Sequence, residues 1–152
     1  MGWVSPTGHN DPNGQWNNEA NGYDGDTGTY TYDQIGRGVW TTYLELTHAA
    51  LRCSKVRFYG YVNFTSMTDV WIDAYYSGAW HAIYHGAIPG SSGWNEYEIG
   101  SIQWVTKVRI QLCSKVEGEG ELYAGFNECE FWEIPLASRP SLGSRLAACG
   151  LI

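Results

Sequence analysis

Charged side chains and long apolar runs are both scarce in this sequence of 152 residues. Only 16% of the residues are charged, with nine Lys and Arg against 16 Asp and Glu, for a net charge of −7. Scattered basic residues in an acidic chain argue against nucleic acid and anionic membranes as partners. No apolar run approaches the roughly 20 residues of a membrane span, so we expect no membrane insertion. Neutral sugars, cations and proteins remain as partners.

Catalytic motifs are missing as well. The segment 90–93, Gly-Ser-Ser-Gly, lacks the GxSxG spacing of a nucleophile elbow. His81 and His85 stand four residues apart on a predicted strand, and the resulting distance of about 13 Å is too long for one metal ion. A pair of carboxylates in a groove, as small jelly-roll hydrolases and lyases use, stays open among 16 acids. We expect a protein that is not an enzyme.

No CxxC spacing relates the four cysteines, which argues against a zinc knuckle or a thioredoxin-like site. Cys53 opens one predicted strand and Cys113 closes another, so their thiols meet if these strands pair antiparallel. A disulfide between Cys53 and Cys113 and free thiols therefore both stay open.

Aromatic residues and glycine, by contrast, are plentiful, with 11 Tyr, 8 Trp and 19 Gly. Glycines stand between runs rich in Val, Ile, Thr, Tyr and Trp, a pattern typical of short strands joined by tight turns. No stretch before residue 136 has the period of a helix, which excludes a parallel α/β sheet. We predict an all-β fold, an antiparallel β-sandwich of the jelly-roll type.

Alternating apolar residues predict about eight strands, within the segments 40–47, 55–64, 69–76, 79–85, 94–99, 104–113 and 121–134. Ser77-Gly78 predicts a tight hairpin between two of them. Residues 3–39 show little periodicity and predict a long wrapped loop, which in a compact domain is usually functional or fixed by a ligand. We place the β-sandwich domain at 1–134. For the tail 135–152, a linker, a docked helix and vector-derived sequence stay open.

The segment 22–30 brings two carboxylates, hydroxyls and turn-forming glycines into nine residues. Ca²⁺ takes six to eight oxygen ligands, which a tight loop supplies from side chains and carbonyls together. The spacing is not that of an EF-hand. A Ca²⁺ site and an Asp-Gly turn whose carboxylates cap their own backbone therefore both stay open.

A family resemblance rests on this loop and on the last predicted strand. The turn 24–26 reads Asp-Gly-Asp, a Thr and a Tyr follow at 29–30, and the closing strand reads Glu-Cys-Glu-Phe at 128–131. This layout resembles the discoidin and galactose-binding-like carbohydrate-binding modules. The chain departs from the family pattern at Gly22, where a small Ala is usual, and at Cys129, where an aliphatic residue is usual.

The resemblance implies a jelly roll over the chain to about residue 134, with a structural Ca²⁺ as cofactor. It assigns the oxygen ligands of that ion to Asn21, Asp24, Asp26, Thr29 and Glu128. Modules of this family stack sugars on exposed aromatic rings and bind the hydroxyls with polar side chains. The ligand-binding candidates near the hairpin and the segment 91–93 are Tyr75, Trp80, His81 and Trp94. Core or turn packing is the alternative for each of these side chains.

We therefore predict a non-catalytic carbohydrate-binding module that binds carbohydrate weakly and lies outside the cell or on a virion or cell surface. The alternative is an adhesin-like or fibre-like interaction domain of a viral or cell-surface assembly, with protein partners or a homo-oligomer. A small jelly-roll hydrolase or lyase is a third interpretation. An exposed apolar sheet face would favour the assembly domain, and converging carboxylates in a groove would favour the enzyme.

Overall fold

A computed structural model describes residues 1–60, 67–89 and 93–137. Within these ranges the chain forms nine strands and a 3₁₀ helix at Glu19–Tyr23. The strands are β1 (Gly2–Val4), β2 (Gly8–Asn10), β3 (Thr31–Gly36), β4 (Leu44–Gly60), β5 (Asp69–Tyr76), β6 (Ala79–Ala87), β7 (Gly93–Cys113), β8 (Glu121–Phe126) and β9 (Glu128–Glu133). All their pairings are antiparallel, which confirms the predicted all-β, antiparallel class. No helix in the described ranges has the length and apolar character needed to cross a bilayer.

The strands form two sheets that face each other. The larger sheet has the order β1-β9-β4-β7-β5-β6, with β2 added beside β4, and the smaller one is the pair β3-β8. One end of β4 pairs with β2 and the other end pairs with β9, so the two partners share a single edge. This arrangement is the sandwich that the sequence predicts.

Two strands of the larger sheet are much longer than predicted. The predicted segments 40–47 and 55–64 belong largely to one strand, β4, and the segments 94–99 and 104–113 both belong to β7. Their register shifts between Thr47 and Leu51 and again between Cys53 and Lys55. Such bulges bend a strand and interrupt its alternation without ending it, so the sequence reads as separate strands. Residues 61–64 of the predicted segment lie outside the described residues.

The predicted segment 121–134 divides at one residue. β8 pairs with β3 in the smaller sheet, whereas β9 pairs with β1 and β4 in the larger one, so the chain changes sheets at Asn127. The Asn127 N–H donates to the Tyr59 carbonyl over 2.8 Å, which ties the crossing point to the end of β4. Gly60 makes this approach possible, because a Cβ there would lie 3.0 Å from the Asn127 nitrogen.

The first forty residues are more regular than the predicted loop. They contain the 3₁₀ helix and the strands β1, β2 and β3. β1 and β2 have three residues each, too few to show an alternation. In β3 the buried positions are Thr31, Asp33 and Ile35, so two of the three inward side chains are polar and the apolar pattern is absent.

The core lies between the sheets and is built from aromatic rings surrounded by aliphatic side chains. Phe126 of the smaller sheet meets Phe58 of β4 edge to face at 5.1 Å, and the Trp16 ring lies 6.0 Å from it. All three residues are at most 4% exposed. Trp16, a residue of the first loop, is therefore part of the core. Its indole N–H is not left unpaired there, because it donates to the Thr42 carbonyl over 2.9 Å.

The possible disulfide is not formed. Cys53, Cys113 and Cys129 are free and buried, and Cys149 lies outside the described residues. β4 and β7 do pair antiparallel, but Cys53 stands opposite Gln103. Cys113 is ten residues further along β7, roughly 33 Å away at strand spacing. The prediction of separate strands hid this offset.

The predicted hairpin is confirmed, and β5 and β6 meet at Ser77-Gly78. Both turn residues have positive φ, 52° for Ser77 and 78° for Gly78, as a tight two-residue turn requires.

Near the C-terminus, β9 ends at Glu133 and the residues to Ala137 form no regular structure. The domain boundary at 134 stays a prediction, because 138–152 lie outside the described residues.

Replacing Phe126 tests the packing between the sheets. We expect Phe126→Ala to lower the free energy of unfolding by about 3–5 kcal/mol, because the lost ring leaves a cavity between Phe58 and Trp16. The matched control is Tyr123→Ala on the same strand, where the side chain is 57% exposed; its cost should be about 1 kcal/mol or less. Denaturant unfolding measures both, and equal losses would contradict the described packing.

Candidate functional site

The predicted metal loop is a tight turn closed by its own side chains. The Asp24 carboxylate accepts from the Asp26 N–H at 2.8 Å and lies 2.8 Å from the Thr29 hydroxyl. The Thr29 hydroxyl is also 3.0 Å from the Asp26 carbonyl oxygen. Asn21 precedes this turn, and its side-chain amide donates to the carbonyl of Tyr30, the residue after Thr29, over 3.1 Å. The structure thus brings three of the five predicted ligands into one turn.

Glu128, the fourth predicted ligand, reaches this turn from the larger sheet. Its Oε2 accepts from the Gly25 N–H over 2.9 Å, and the residue is 1% exposed. Its other oxygen, Oε1, is buried and has no hydrogen-bond partner among the described residues. Burial, with a smaller contribution from the charge of the nearby Asp24, raises the pKa of Glu128 to about 7 against the opposing effect of the Gly25 N–H. A buried carboxylate facing a second one has unused capacity to bind a cation.

A second buried oxygen with no partner lies on the neighbouring residue. Asn127 donates to the Thr27 carbonyl over 3.0 Å, but its Oδ1 has no hydrogen-bond partner among the described residues. No sequence pattern indicated Asn127, because the change of sheet that places this residue beside the loop is not visible in the strand pattern. Two oxygens without donors beside an acidic turn form a set of the hard ligands that Ca²⁺ prefers.

The loop lies close to the core at the position where the family pattern usually has Ala. A Cβ on Gly22 would lie 2.9 Å from a ring carbon of Phe126 and 3.1 Å from a methyl carbon of Thr31. The absence of a side chain at residue 22 therefore lets the turn pack directly on the smaller sheet. This departure from the family pattern fits the local packing and removes no oxygen ligand.

No group of three or more His, Cys, Asp or Glu side chains that could hold a metal ion occurs within the described ranges. A cation beside Asp24 and Glu128 would therefore need hydroxyl and carbonyl oxygens for the remainder of its ligands. Ca²⁺ binds in this way, whereas Zn²⁺ usually takes three or four side chains. The donor set fits Ca²⁺ better than a transition metal.

Two of the four predicted sugar-binding residues meet on the solvent-facing side of the larger sheet. Tyr75 and Trp80 face each other across β5 and β6, with ring centres 5.2 Å apart. Lys107 lies 4.7 Å from the Tyr75 ring centre, and Arg109 lies 4.3 Å from that of Trp80. Cations thus already lie against both rings, at distances typical of cation–π contacts.

The other two predicted residues lie elsewhere. Trp94 is on β7 opposite Tyr59 of β4, and the Arg57 guanidinium lies 3.9 Å from its ring centre. His81 stands in register with the buried Ala74 and stacks on Tyr76 at 3.9 Å, so it belongs to the core-facing side of the sheet edge. The four candidates therefore do not form one surface.

A polar network that the sequence pattern did not indicate lies beside Trp80. Asp73 is 3% exposed although it shares the outer face of β5 with Trp71 and Tyr75. Its two carboxylate oxygens lie 2.7 Å from His85 Nε2 and 2.8 Å from Arg109 Nε. Both oxygens of the Asp73 carboxylate are therefore paired, and the network holds His85 and Arg109 in position beside the aromatic rings of this face.

The sequence matches no family model and no curated protein. Solved structures do share the fold. A fucose-binding module from Streptococcus pneumoniae aligns over 89% of this chain and 100% of its own, with 14% identity and a TM-score of 0.64. A family 32 carbohydrate-binding module from C. perfringens NanJ, in complex with galactose, aligns over 82% of this chain and 90% of its own, with 16% identity and a TM-score of 0.59. The module GH31 CBM32-2 bound to GalNAc aligns over 88% of this chain and 100% of its own, with 14% identity and a TM-score of 0.59.

The fold of this chain is that of the family 32 carbohydrate-binding modules. Whole family 32 modules align with most of this chain, which confirms the galactose-binding-like sandwich that the resemblance implied. At 14–16% identity the likeness concerns the fold alone. Ligands must therefore be argued from the side chains of this chain.

Glu128 gives the cation-free protein a distinctive pH dependence. Its pKa is about 7 in the folded state against an ordinary 4.5. Between these values the folded state holds a proton that the unfolded chain has released, so stability is full below about pH 4.5 and falls as the pH rises through 7. The loss attributable to this group is about 3 kcal/mol at most.

Glu128→Gln tests this effect in buffer with chelator. We expect the variant to lack the loss of stability between about pH 4.5 and pH 7, because the amide does not titrate. The exposed Glu117→Gln should keep the profile of the parent. Denaturant unfolding across this pH range measures the difference, and a parent-like decline in Glu128→Gln would show that Glu128 does not titrate there.

Proposed function

We propose that this chain is a non-catalytic carbohydrate-binding module whose first loop is held in place by a structural Ca²⁺. The observation that carries the calcium part is the buried Glu128 carboxylate beside the Asp24 turn, one oxygen of which has no hydrogen-bond partner among the described residues. The carbohydrate part is supported by the fold, whose similar structures include galactose, fucose and GalNAc binders. A place outside the cell or on a surface follows from this function and is part of the proposal.

The residues that would hold the ion are those that the resemblance assigns. Asp24 and Glu128 would supply the charged oxygens, and Asp26, Thr29 and Asn21 would contribute carbonyl or hydroxyl oxygens. Bound Ca²⁺ would supply two positive charges, which offset the repulsion between the two carboxylates. Asn127, whose Oδ1 also has no hydrogen-bond partner among the described residues, is an additional candidate ligand.

The role of the ion would be to fix one end of the sandwich. Glu128 begins β9 and contacts the loop by accepting a hydrogen bond from the Gly25 N–H over 2.9 Å. The loop in turn covers Phe126 through Gly22. A cation that joins the loop to β9 would therefore stabilise a contact between the first loop and both sheets, without any part in a reaction.

Calcium binding is expected to raise the thermal stability. An ion that binds only the folded state raises the free energy of unfolding by about 2.7 kcal/mol when its free concentration is 100 times its dissociation constant. Asp24→Asn should abolish the increase in melting temperature, because it removes one charged ligand while the amide oxygen can still accept from the Asp26 N–H. Asp11→Asn is the matched control, since Asp11 also accepts backbone bonds in an exposed turn but lies outside the site. A Ca²⁺ response in Asp24→Asn equal to that of the parent would refute the site.

Carbohydrate binding is best tested with the protein displayed in several copies on a glycan array, because linked weak sites gain apparent affinity. We expect retention of a small set of glycans that end in neutral sugars, since the acidic chain with a net charge of −7 disfavours anionic ones. The negative control is Phe126→Ala, because the cavity in its core should destabilise the domain and reduce the retention of glycans. A folded, calcium-responsive protein that retains no glycan would rule out the carbohydrate function and leave the calcium site standing.

A further inference from the structure

Trp104 on β7 differs from the other seven tryptophans. It is 55% exposed, and its indole makes no ring contact, cation contact or hydrogen bond with the described residues. Trp16 is buried. The remaining six contact another ring or a cation, namely Trp3, Trp40, Trp71, Trp80, Trp94 and Trp132. A ring that is exposed and has no such neighbour can accept the apolar face of a ligand.

A groove of about 240 Å³ lies beside this ring. It is lined by Arg52 of β4, Trp104 of β7 and Glu133 of β9, together with apolar residues of β4 and the segment 134–136 that follows β9. Pockets for drug-sized ligands measure about 300–1,000 Å³. The smaller groove is suited to a single ring.

The polar side chains in the groove have free hydrogen-bonding capacity. Arg52 Nη1 donates to the Pro135 carbonyl over 3.1 Å, which holds the guanidinium at the groove and leaves further N–H donors. The Glu133 carboxylate forms no hydrogen bond or ion pair with any described residue. A donor, an acceptor and an aromatic face thus meet around one small space, as recognition of a sugar ring requires.

We propose that this groove binds one uncharged hexopyranose, with the apolar face of the sugar on Trp104 and its hydroxyls on Arg52 and Glu133. The opposite charges of Arg52 and Glu133 cancel, so the groove does not favour an acidic sugar. The proposal rests on the carbohydrate-binding function and adds to it the sugar class and the binding residues. It places the sugar away from Tyr75, Trp80 and Trp94, whose rings already contact cations.

The test uses the full chain labelled with 5-fluorotryptophan, whose eight ¹⁹F resonances are assigned with Trp→Phe variants. Galactose is the first probe, with glucose, mannose, fucose and N-acetylgalactosamine as further neutral probes and glucuronic acid as the charged comparison. We expect at least one neutral sugar to shift the Trp104 resonance most, and glucuronic acid to shift it less at equal concentration.

Affinities of three variants for the sugar that shifts the resonance complete the test. Trp104→Ala should bind about tenfold more weakly, because the stacking surface is lost. Glu133→Gln should weaken binding less and should make glucuronic acid a better ligand, since the acceptor charge is removed. Trp80→Ala is the matched control and should bind like the parent. Unchanged melting temperature in Trp104→Ala would show that the fold is intact, as expected for an exposed ring.

Three results would overturn the proposal. A sugar that shifts another tryptophan and binds Trp104→Ala like the parent would place the site elsewhere while leaving the carbohydrate function intact. No response of any tryptophan to any of these sugars, together with no retained glycan on the array, would overturn both. A Trp104 resonance that moves with protein concentration and not with sugar would identify a contact between copies of the chain.

Discussion

The pairing of β4 with β7 is the contact on which the rest of the structure depends. These two strands have 17 and 21 residues, and they form the centre of the larger sheet. Every other strand of that sheet is added to one of them, directly or through a neighbour. Their bulges also bend the sheet, which lets one edge of β4 pair first with β2 and then with β9. The candidate calcium site and the Trp104 groove both include residues of β9, so both depend on the pairing of β9 with the second half of β4.

Much of the architecture is readable in the sequence because most of its strands have one buried face. Alternation identified the β5–β6 hairpin and both end portions of β4 and of β7 but not their central parts, and Ser77-Gly78 identified the turn. Alternation fails where a bulge changes its phase. In the segment 104–113, strict alternation predicts that Trp104 lies on the same face as the buried Val108. The structure instead buries Val105 and leaves Trp104 exposed. The register shift between Thr47 and Leu51 of β4, opposite residues 105–107 of β7, reverses the side on which this ring lies.

The candidate metal site was more predictable than the proposed sugar site for a physical reason. Most of its candidate ligands are close in sequence, and a tight turn brings such residues together whatever the remainder of the chain does. Glu128 came from the resemblance, and Asn127 could not be found, because its position depends on where the chain crosses between sheets. The sugar candidates were chosen for residue type in a chain with 8 Trp and 11 Tyr. Residue type does not reveal which rings are already covered by Lys or Arg.

The cations that lie against the aromatic rings have a consequence for the behaviour of this surface in a crowded solution. A sheet face with many bare indoles would adhere to other proteins and to itself. Here Lys55 and Arg57 lie against Trp3, and Arg109 lies between Tyr43 and Trp80, so charged and hydrated groups are interleaved with the rings. The face can therefore carry many aromatic side chains and still remain largely non-adhesive, with its stickiness confined to the few rings that have no cation beside them.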